Sequence, residues 1–387
     1  MDKKDILIIS TADWDNPIKT NKQYVAKELS NLDHRILYVE SLGIRKIQIG
    51  KRDLKRVIKR IINMTFIIKR KDKNIWVISP PLIPGATNKM IIFINKIILN
   101  LNIQIARYFL NFKNDCLWTY NPMTCIYINT KKFKTAIYHA VDSIEHQPFM
   151  PKELINQEEK KLAYKVDQIF VTSQTIFKKL EKYNRKIQFF GNVCEFDHFA
   201  KAPTLSLEEI PDDIKNIKKP IVGFIGAISE YKLDYQLIKT VAKKLENINF
   251  VFIGPTEDSI NKKKLNQLRE IDNIFLLGYR KYNILPNYCA YFDVAWLPII
   301  HNKYTDSMFP MKFFEYLASG LPVISTKISS LKDYDDYVSL SDDIEEIVKQ
   351  ISYYLNNKKN GIEKRQNLAR LNTYKKRTKL MLRNLNL

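Results

Sequence analysis

Strand-like apolar runs alternate with helix-like stretches from one end of this chain to the other, and that alternation limits it to one fold class. DILIIS, RILYVE, NIWVIS, CLWTY, TAIYHA and QIFVTS occupy the first half, and PIVGFIG, NFVFIG, IFLLG, FDVAWLP and LPVIS the second. Each run is nearly continuous in apolar residues rather than alternating apolar with polar, the pattern of strands buried on both faces. Strands of that kind separated by helices belong to parallel sheets covered on two sides, so the chain is α/β. Two series predict two doubly wound domains, since 387 residues exceed one ordinary core. The polar, proline-containing segment KAPTLSLEEIPDDIKNIKKP, residues 201–220, marks the seam. The expected division is 1–205, 206–370 and a C-terminal helix, 371–387, packing back near the seam.

Apolar residues make up 45% of the chain and aromatics 12%, enough to fill two cores and too many for a disordered chain. The formal charge of +22 points to anionic partners. Residues 44–73 hold twelve Lys or Arg against Asp53 and Asp72, so ten of the excess charges fall in that segment. Within it, residues 51–70 set Leu54, Val57, Ile58, Ile61 and Ile62 along one helical stripe with cations around them, as a membrane-surface helix would. An ordinary helix packed on its own sheet is the plainer reading. No nucleic-acid module or aromatic-interleaved basic strand is present, so nucleic acid is not an expected partner. Cys116, Cys125, Cys194 and Cys289 match neither a zinc knuckle nor a disulfide framework and are expected to be reduced thiols. MDKKDILIIS carries no signal-peptide pattern. Lys96, Arg107 and four Asn or Gln residues interrupt the apolar run 90–110, which reads as an amphipathic helix rather than a membrane span.

In doubly wound sheets ligands lie beyond the carboxyl ends of the strands, and two such domains facing one another make a cleft. One post-strand segment stands out. FPMKFFEYLASGLPVIST, residues 309–326, reads as a helix with Pro310 at its first position and a stop at Gly320. Lys312 and Glu315 lie three apart, one turn of helix. The amino end of a helix carries about half a positive charge and favours a phosphate. Lys312 adds a full charge, and a carboxylate at Glu315 accepts two hydrogen bonds from a vicinal diol. A diphosphate and a ribose need those groups. A surface ion pair, worth about 0.3 kcal/mol, is the plainer reading.

The pattern P-x-K-x-x-E-Y-L-A-S-G-x-P-V resembles the donor helix of GT-B glycosyltransferases of the family 4, or group 1, type, whose two domains are Rossmann-like. The likeness extends to FIGAISEYKLDYQLI (224–238), FVFIGP (250–255) and LLGYRKYNILPNYCAYFDVAWLPI (276–299). TADWDNPIKTNKQYVAKELS (11–30) and IYHAVDS (137–143) look most like the branch of teichuronic acid and related surface-polysaccharide transferases. The resemblance implies that Glu315 holds the donor ribose and that Lys312 and the backbone after Pro310 meet the diphosphate. It further implies that the loop Gly226 to Ser229 lines the phosphates and that Gly278, Tyr279 and Arg280 lie at the base. Two departures stand out: the family's glutamate eight residues before Glu315 is Ser307 here, beside Asp306, and no glycine-rich turn follows the first strand. Asp13, Trp14, Asp15 and Asn21 stand there instead, with an expected acceptor-side role.

Sugar transfer needs a group that takes or orients the acceptor proton. Asp142 is the first candidate, because the resemblance places a catalytic His or Asp near it, and His139 is the second. Asp142 and Ser143 also suit a simple cap. Asp13 and Asp15 form a D-x-D that binds metal in another transferase fold, but here it follows the first strand, and transferases of the resembling type need no metal or other cofactor. The expectation is a cytoplasmic enzyme, peripheral on the inner face of the membrane, that moves a sugar with retention from a nucleotide sugar to a lipid-linked or other surface glycan. A sugar-nucleotide epimerase of the same fold, or a nonenzymatic glycan- or membrane-binding protein, are the alternatives.

Overall fold

The computed structural model describes residues 3–43, 68–83, 88–256, 262–357 and 359–385. Most of the basic segment, residues 51–67, lies outside them, so its expected membrane-surface helix is not described. The chain forms two compact units, Met1–Gly191 with Thr378–Leu387, and Asn192–Arg377.

The first unit holds an eight-stranded sheet built from β1 (Asp5–Ile9), β2 (Arg35–Val39), β3 (Lys69–Asp72), β4 (Ile75–Ile78), β5 (Cys116–Thr119), β6 (Thr135–Ala140), β7 (Gln168–Val171) and β8 (Ile187–Phe189). Their spatial order is β3-β4-β2-β1-β5-β6-β7-β8. Every pairing is parallel except that of β3 with β4. Successive side chains of a strand point to opposite faces, so β1 feeds two cores. Leu7 and Ile9 pack with Leu99, Ile103, Leu162 and Ile176 of the helices on one face. Ile6 and Ile8 pack with Val25, Leu29, Met381 and Leu382 on the other.

The second unit repeats the plan with β9 (Ile221–Ile225), β10 (Asn249–Ile253), β11 (Ile274–Gly278), β12 (Val294–Leu297), β13 (Val323–Ser325) and β14 (Val338–Leu340), ordered β11-β10-β9-β12-β13-β14 and all parallel. All eleven expected strands are present. The three that the apolar pattern does not reveal, β3, β8 and β14, are edge strands of three or four residues. An edge strand has less to bury, and KRKD of β3 is largely exposed.

The division falls after Gly191 rather than near 205, because Phe199, Ala202, Ile210, Ile214 and Ile217 of the polar segment and its approach are buried in the second core. The last ten residues return to the first unit through Met381 and Leu382.

In each sheet the first strand of the unit lies between two oppositely propagating halves, β1 between β2 and β5 and β9 between β10 and β12. The crevice beyond their carboxyl ends is where such a sheet binds ligands. In the second unit three neighbouring strands run into glycines there, joined by backbone bonds from Gly226 N to Ile253 O and from Gly254 N to Gly278 O, both 2.9 Å. Gly254 has φ +152°, and a Cβ on it would stand 1.8 Å from the Gly226 carbonyl oxygen. Glycine is therefore required at this corner. Gly254→Ala is expected to lower stability by at least about 1–3 kcal/mol in denaturant unfolding; an unchanged midpoint would mean that the corner opens without strain.

Candidate functional site

The donor-side candidates of the second unit are held on β9, β11 and the short helix Lys312–Ala318. That helix begins two residues later than the sequence suggests. Pro310 precedes it, its carbonyl accepting from Phe313 N at 3.2 Å, and Met311 is the N-cap. Its end follows the expected pattern: Gly320 N donates to Leu317 O and Leu321 N to Tyr316 O, both at 3.0 Å, with Gly320 at φ +75°. This is the paired geometry that glycine permits after a helix. Arg365 donates to the Gly320 carbonyl through Nε at 3.0 Å and Nη2 at 2.8 Å, placing a cation at the negative end. Tyr316 OH accepts from Ile225 N at 2.7 Å, which pins the helix to the carboxyl end of β9.

Glu315 is not on the surface. It is 2% exposed and forms a short ion pair with the half-buried Lys312. Burial pushes its carboxyl above the ordinary 4.5, an effect that Lys312 opposes. The Lys312 ammonium also lies 5.8 Å from the centre of the Phe199 ring. A charged pair in this setting is held together because each member, alone, would be an uncompensated buried charge. Ser229 is fully buried in the loop after β9, and its hydroxyl has no hydrogen-bond partner among the described residues. A group that bound this loop could satisfy it.

Other candidates are engaged elsewhere. Arg280 donates to Asp213 at 3.0 Å and to Tyr288 OH at 2.8 Å through Nε, and these partners raise its pKa against a lowering by burial. The guanidinium assigned to the base is thus fastened within the protein, while Tyr279 is 40% exposed beside it. Ser307 turns inward, its hydroxyl donating to Tyr304 O at 2.7 Å, and Asp306 lies 3.9 Å from the His301 ring.

In the first unit, Asp142 follows β6 and is paired with Lys22 of helix Asn21–Asn31 at 3.5 Å. The Lys22 side chain is 7% exposed, that of Asp142 26%. Ser143 makes no side-chain cap bond, so the capping role is not what positions this pair. Lys22 was not among the candidates read from the sequence; a lysine in the first turn of a helix that follows β1 was the available signal. The loop is braced from below by Glu145, which meets Lys179 at 2.5 Å, while Lys179 also meets Glu159 at 2.5 Å and Tyr138 OH donates to Glu159 at 2.6 Å.

His139 has a different setting from that expected of a base. It is wholly buried, with its ring 4.9 Å from Tyr120 and 6.0 Å from Phe170, and its Nδ1 accepts from Trp118 Nε1 at 3.4 Å. Trp118, Tyr120 and Phe170 thus surround the ring. Around β1, Trp14 N donates to Glu40 at 2.8 Å and the Trp14 ring stands edge-on to Tyr38 at 5.1 Å. Asp15 is paired with Lys71 at 2.8 Å, and the Asp13 carbonyl accepts from Gln23 Nε2 at 3.0 Å. Asn21 is buried at the start of the helix. Glu40 is a further carboxylate that the sequence did not single out, raised above 4.5 by burial.

Residues 207–375 match the family model described as Glycosyl transferases group 1. Solved structures align along almost the whole chain. Sucrose-phosphate synthase from Thermosynechococcus elongatus matches with a TM-score of 0.73 and 13% identity, covering 99% of this chain and 98% of that one. HepE of Anabaena, in complex with UDP and glucose, matches at 0.68 and 14%, covering 99% of both. The fold is GT-B. A curated relative, "Putative teichuronic acid biosynthesis glycosyltransferase TuaH" of Bacillus subtilis (strain 168), is 27% identical over 187 residues, which is 46% of this chain and 45% of that protein. The match therefore spans less than half of the relative's length. The helix that buries Glu315 against Lys312 lies within the matched residues.

The raised Glu315 carboxyl has a signed consequence. The folded state binds its proton more readily than the unfolded state, so ionised Glu315 weighs against folding above its raised pKa, and that burden disappears as the pH falls toward 4.5. Relative to Glu315→Gln, the wild type should gain stability on acidification from about pH 8 to pH 5. Melting temperatures of both proteins across that range measure it, and a difference independent of pH would contradict the assignment.

Proposed function

We propose that this chain is a glycosyltransferase that moves a sugar from a nucleoside diphosphate sugar onto a growing cell-surface polysaccharide. The observation that carries the reading is the buried Lys312–Glu315 pair on a helix pinned to the carboxyl end of β9, inside the segment that matches the group 1 family. An ionised carboxylate is an acceptor for both hydroxyls of a ribose. The ammonium one turn earlier, together with the backbone of the Gly226 loop, suits the diphosphate that must leave. HepE binds UDP and glucose in the matching fold, which supports a uridine or similar donor.

Asp142 is assigned to the acceptor hydroxyl, with Lys22 holding its carboxylate in place. Its post-β6 position at the carboxyl edge of the first sheet supports that role. His139 is assigned to the wall behind it. No metal is assigned: the second carboxylate of the D-x-D is taken by Lys71, which supports an acceptor-side or structural role for Asp13 to Asp15. TuaH, named for teichuronic acid, supports a polysaccharide acceptor, and the reading extends to a lipid-linked acceptor, retention of configuration and a peripheral position on the cytoplasmic face of the membrane.

Thermal unfolding with UDP, GDP and dTDP tests the donor site. A ligand at about 100 times its Kd adds about 2.7 kcal/mol of stability. One diphosphate should stabilise the wild type and leave Glu315→Ala unshifted, which would also name the base; equal shifts in both proteins would remove Glu315 from the site. Asp142→Asn should retain that diphosphate shift and lose about 10²–10⁴-fold in kcat. Unaltered turnover would remove Asp142 from the reacting centre.

A further inference from the structure

Helix Lys89–Leu110 connects β4 to β5 and presents two apolar faces of different fate. Asn95, Leu99, Ile103 and Ala106 are buried, the last three in the core of the first unit. The opposite side is a row at helical spacing that includes Met90, Phe93, Ile97, Leu101, Tyr108 and Phe109. Two further isoleucines flank it, so eight of the eighteen exposed large apolar residues among the described residues lie on this helix. Met90 is 73% exposed, Tyr108 84% and Phe109 73%. Scattered exposed apolar residues are ordinary, but a contiguous row of this length is not.

Charge identifies the occupant. The helix contains no Asp or Glu, its charged residues are Lys89, Lys96 and Arg107, and the chain as a whole carries +22. A row of aliphatic and aromatic side chains edged by cations alone fits the boundary between acyl chains and anionic headgroups. Tyr108 and Phe109 stand edge-on to one another at 5.7 Å where the helix ends, a position in which aromatic rings suit the interface. We propose that this face docks the protein on an anionic phospholipid bilayer, with the helix lying in the plane of the interface.

The helix is long and apolar enough to span a membrane by length and composition. Its inner face opposes that arrangement. Asn95 accepts from Ile83 N at 2.8 Å and donates to Ile83 O at 2.7 Å, and Asn100 donates to Tyr127 O at 2.9 Å. Insertion across the bilayer would strip Leu99, Ile103 and Ala106 from the core and break these bonds in lipid, where nothing replaces them. Lying flat, the helix keeps every inward contact and covers only the row now facing water. About 33 Å of helix, at 1.5 Å per residue, is then available to the surface.

The test uses the full chain and vesicles of phosphatidylcholine, with or without about 30 mol% phosphatidylglycerol, separated by flotation. The wild type should float with the anionic vesicles and bind plain phosphatidylcholine more weakly by about tenfold. The triple variant Phe93→Asn, Ile97→Asn, Leu101→Asn alters only exposed side chains, so an unchanged melting temperature verifies its fold; it should lose anionic-vesicle binding by at least about tenfold. Lys89→Gln with Lys96→Gln should weaken anionic-vesicle binding and make it less sensitive to salt than that of the wild type. No flotation of the wild type would overturn the proposal, as would equal flotation of the triple variant, which would move the contact elsewhere on the chain. A wild-type dimer that the triple variant dissociates, with no vesicle binding, would give the face to a second copy and overturn it as well. None of these readouts requires donor binding or turnover, so they stand apart from the catalytic reading.

Discussion

Parallel pairing is the constraint from which the remaining features follow. A parallel strand cannot be reached from its neighbour by a tight turn, so every step from β1 to β2, or from β9 to β10, passes through a crossover that covers a sheet face. The crossovers bury both faces, and the only part of the sheet left open to a polar ligand is its edge of strand ends. The candidate residues accordingly lie at the carboxyl ends. Asp142 follows β6, Ser229 follows β9, the three glycines sit at the ends of β9, β10 and β11, and helix Lys312–Ala318 is tied to the last residue of β9 by the Tyr316 hydroxyl.

Charge is placed against burial at two such ends, with different partners. Glu315 is nearly inaccessible and depends on Lys312 from its own helix, so its environment is local in sequence. Asp142 is partly open and depends on Lys22, contributed by a helix that starts after a different strand. The two carboxylates are therefore held by cations of different origin, one within the same helix and one from a separate element.

The helix Lys312–Ala318 was legible because its signals act over a few residues. The i,i+3 spacing of Lys312 and Glu315 and the stop at Gly320 are properties of one turn of backbone, and both hold in the structure. The resemblance places Arg280 at the base, and its guanidinium is bonded to Asp213, sixty-seven residues away, a contact that no local pattern announces. His139 entered as a candidate through the family resemblance, and the ring contacts with Trp118, Tyr120 and Phe170 come from strands and loops distant in sequence. Lys22 was passed over because nothing within its own helix asks for a buried ammonium.

The sequence by itself determined the class of fold, eleven strands of two parallel sheets, and the existence of a helix before LPVIS, since apolar periodicity and helix punctuation are written in neighbouring residues. Tertiary structure alone decided which ionisable groups are buried, which cations are already paired, and which apolar face of helix Lys89–Leu110 is turned outward. That helix carries apolar residues on two sides, so its amphipathic pattern does not say which of them the sheet covers. Packing against β1, β2 and their neighbours selects the face of Leu99 and Ile103, and the row of Met90, Phe93 and Ile97 is exposed because a sheet can cover only one side of a helix at a time.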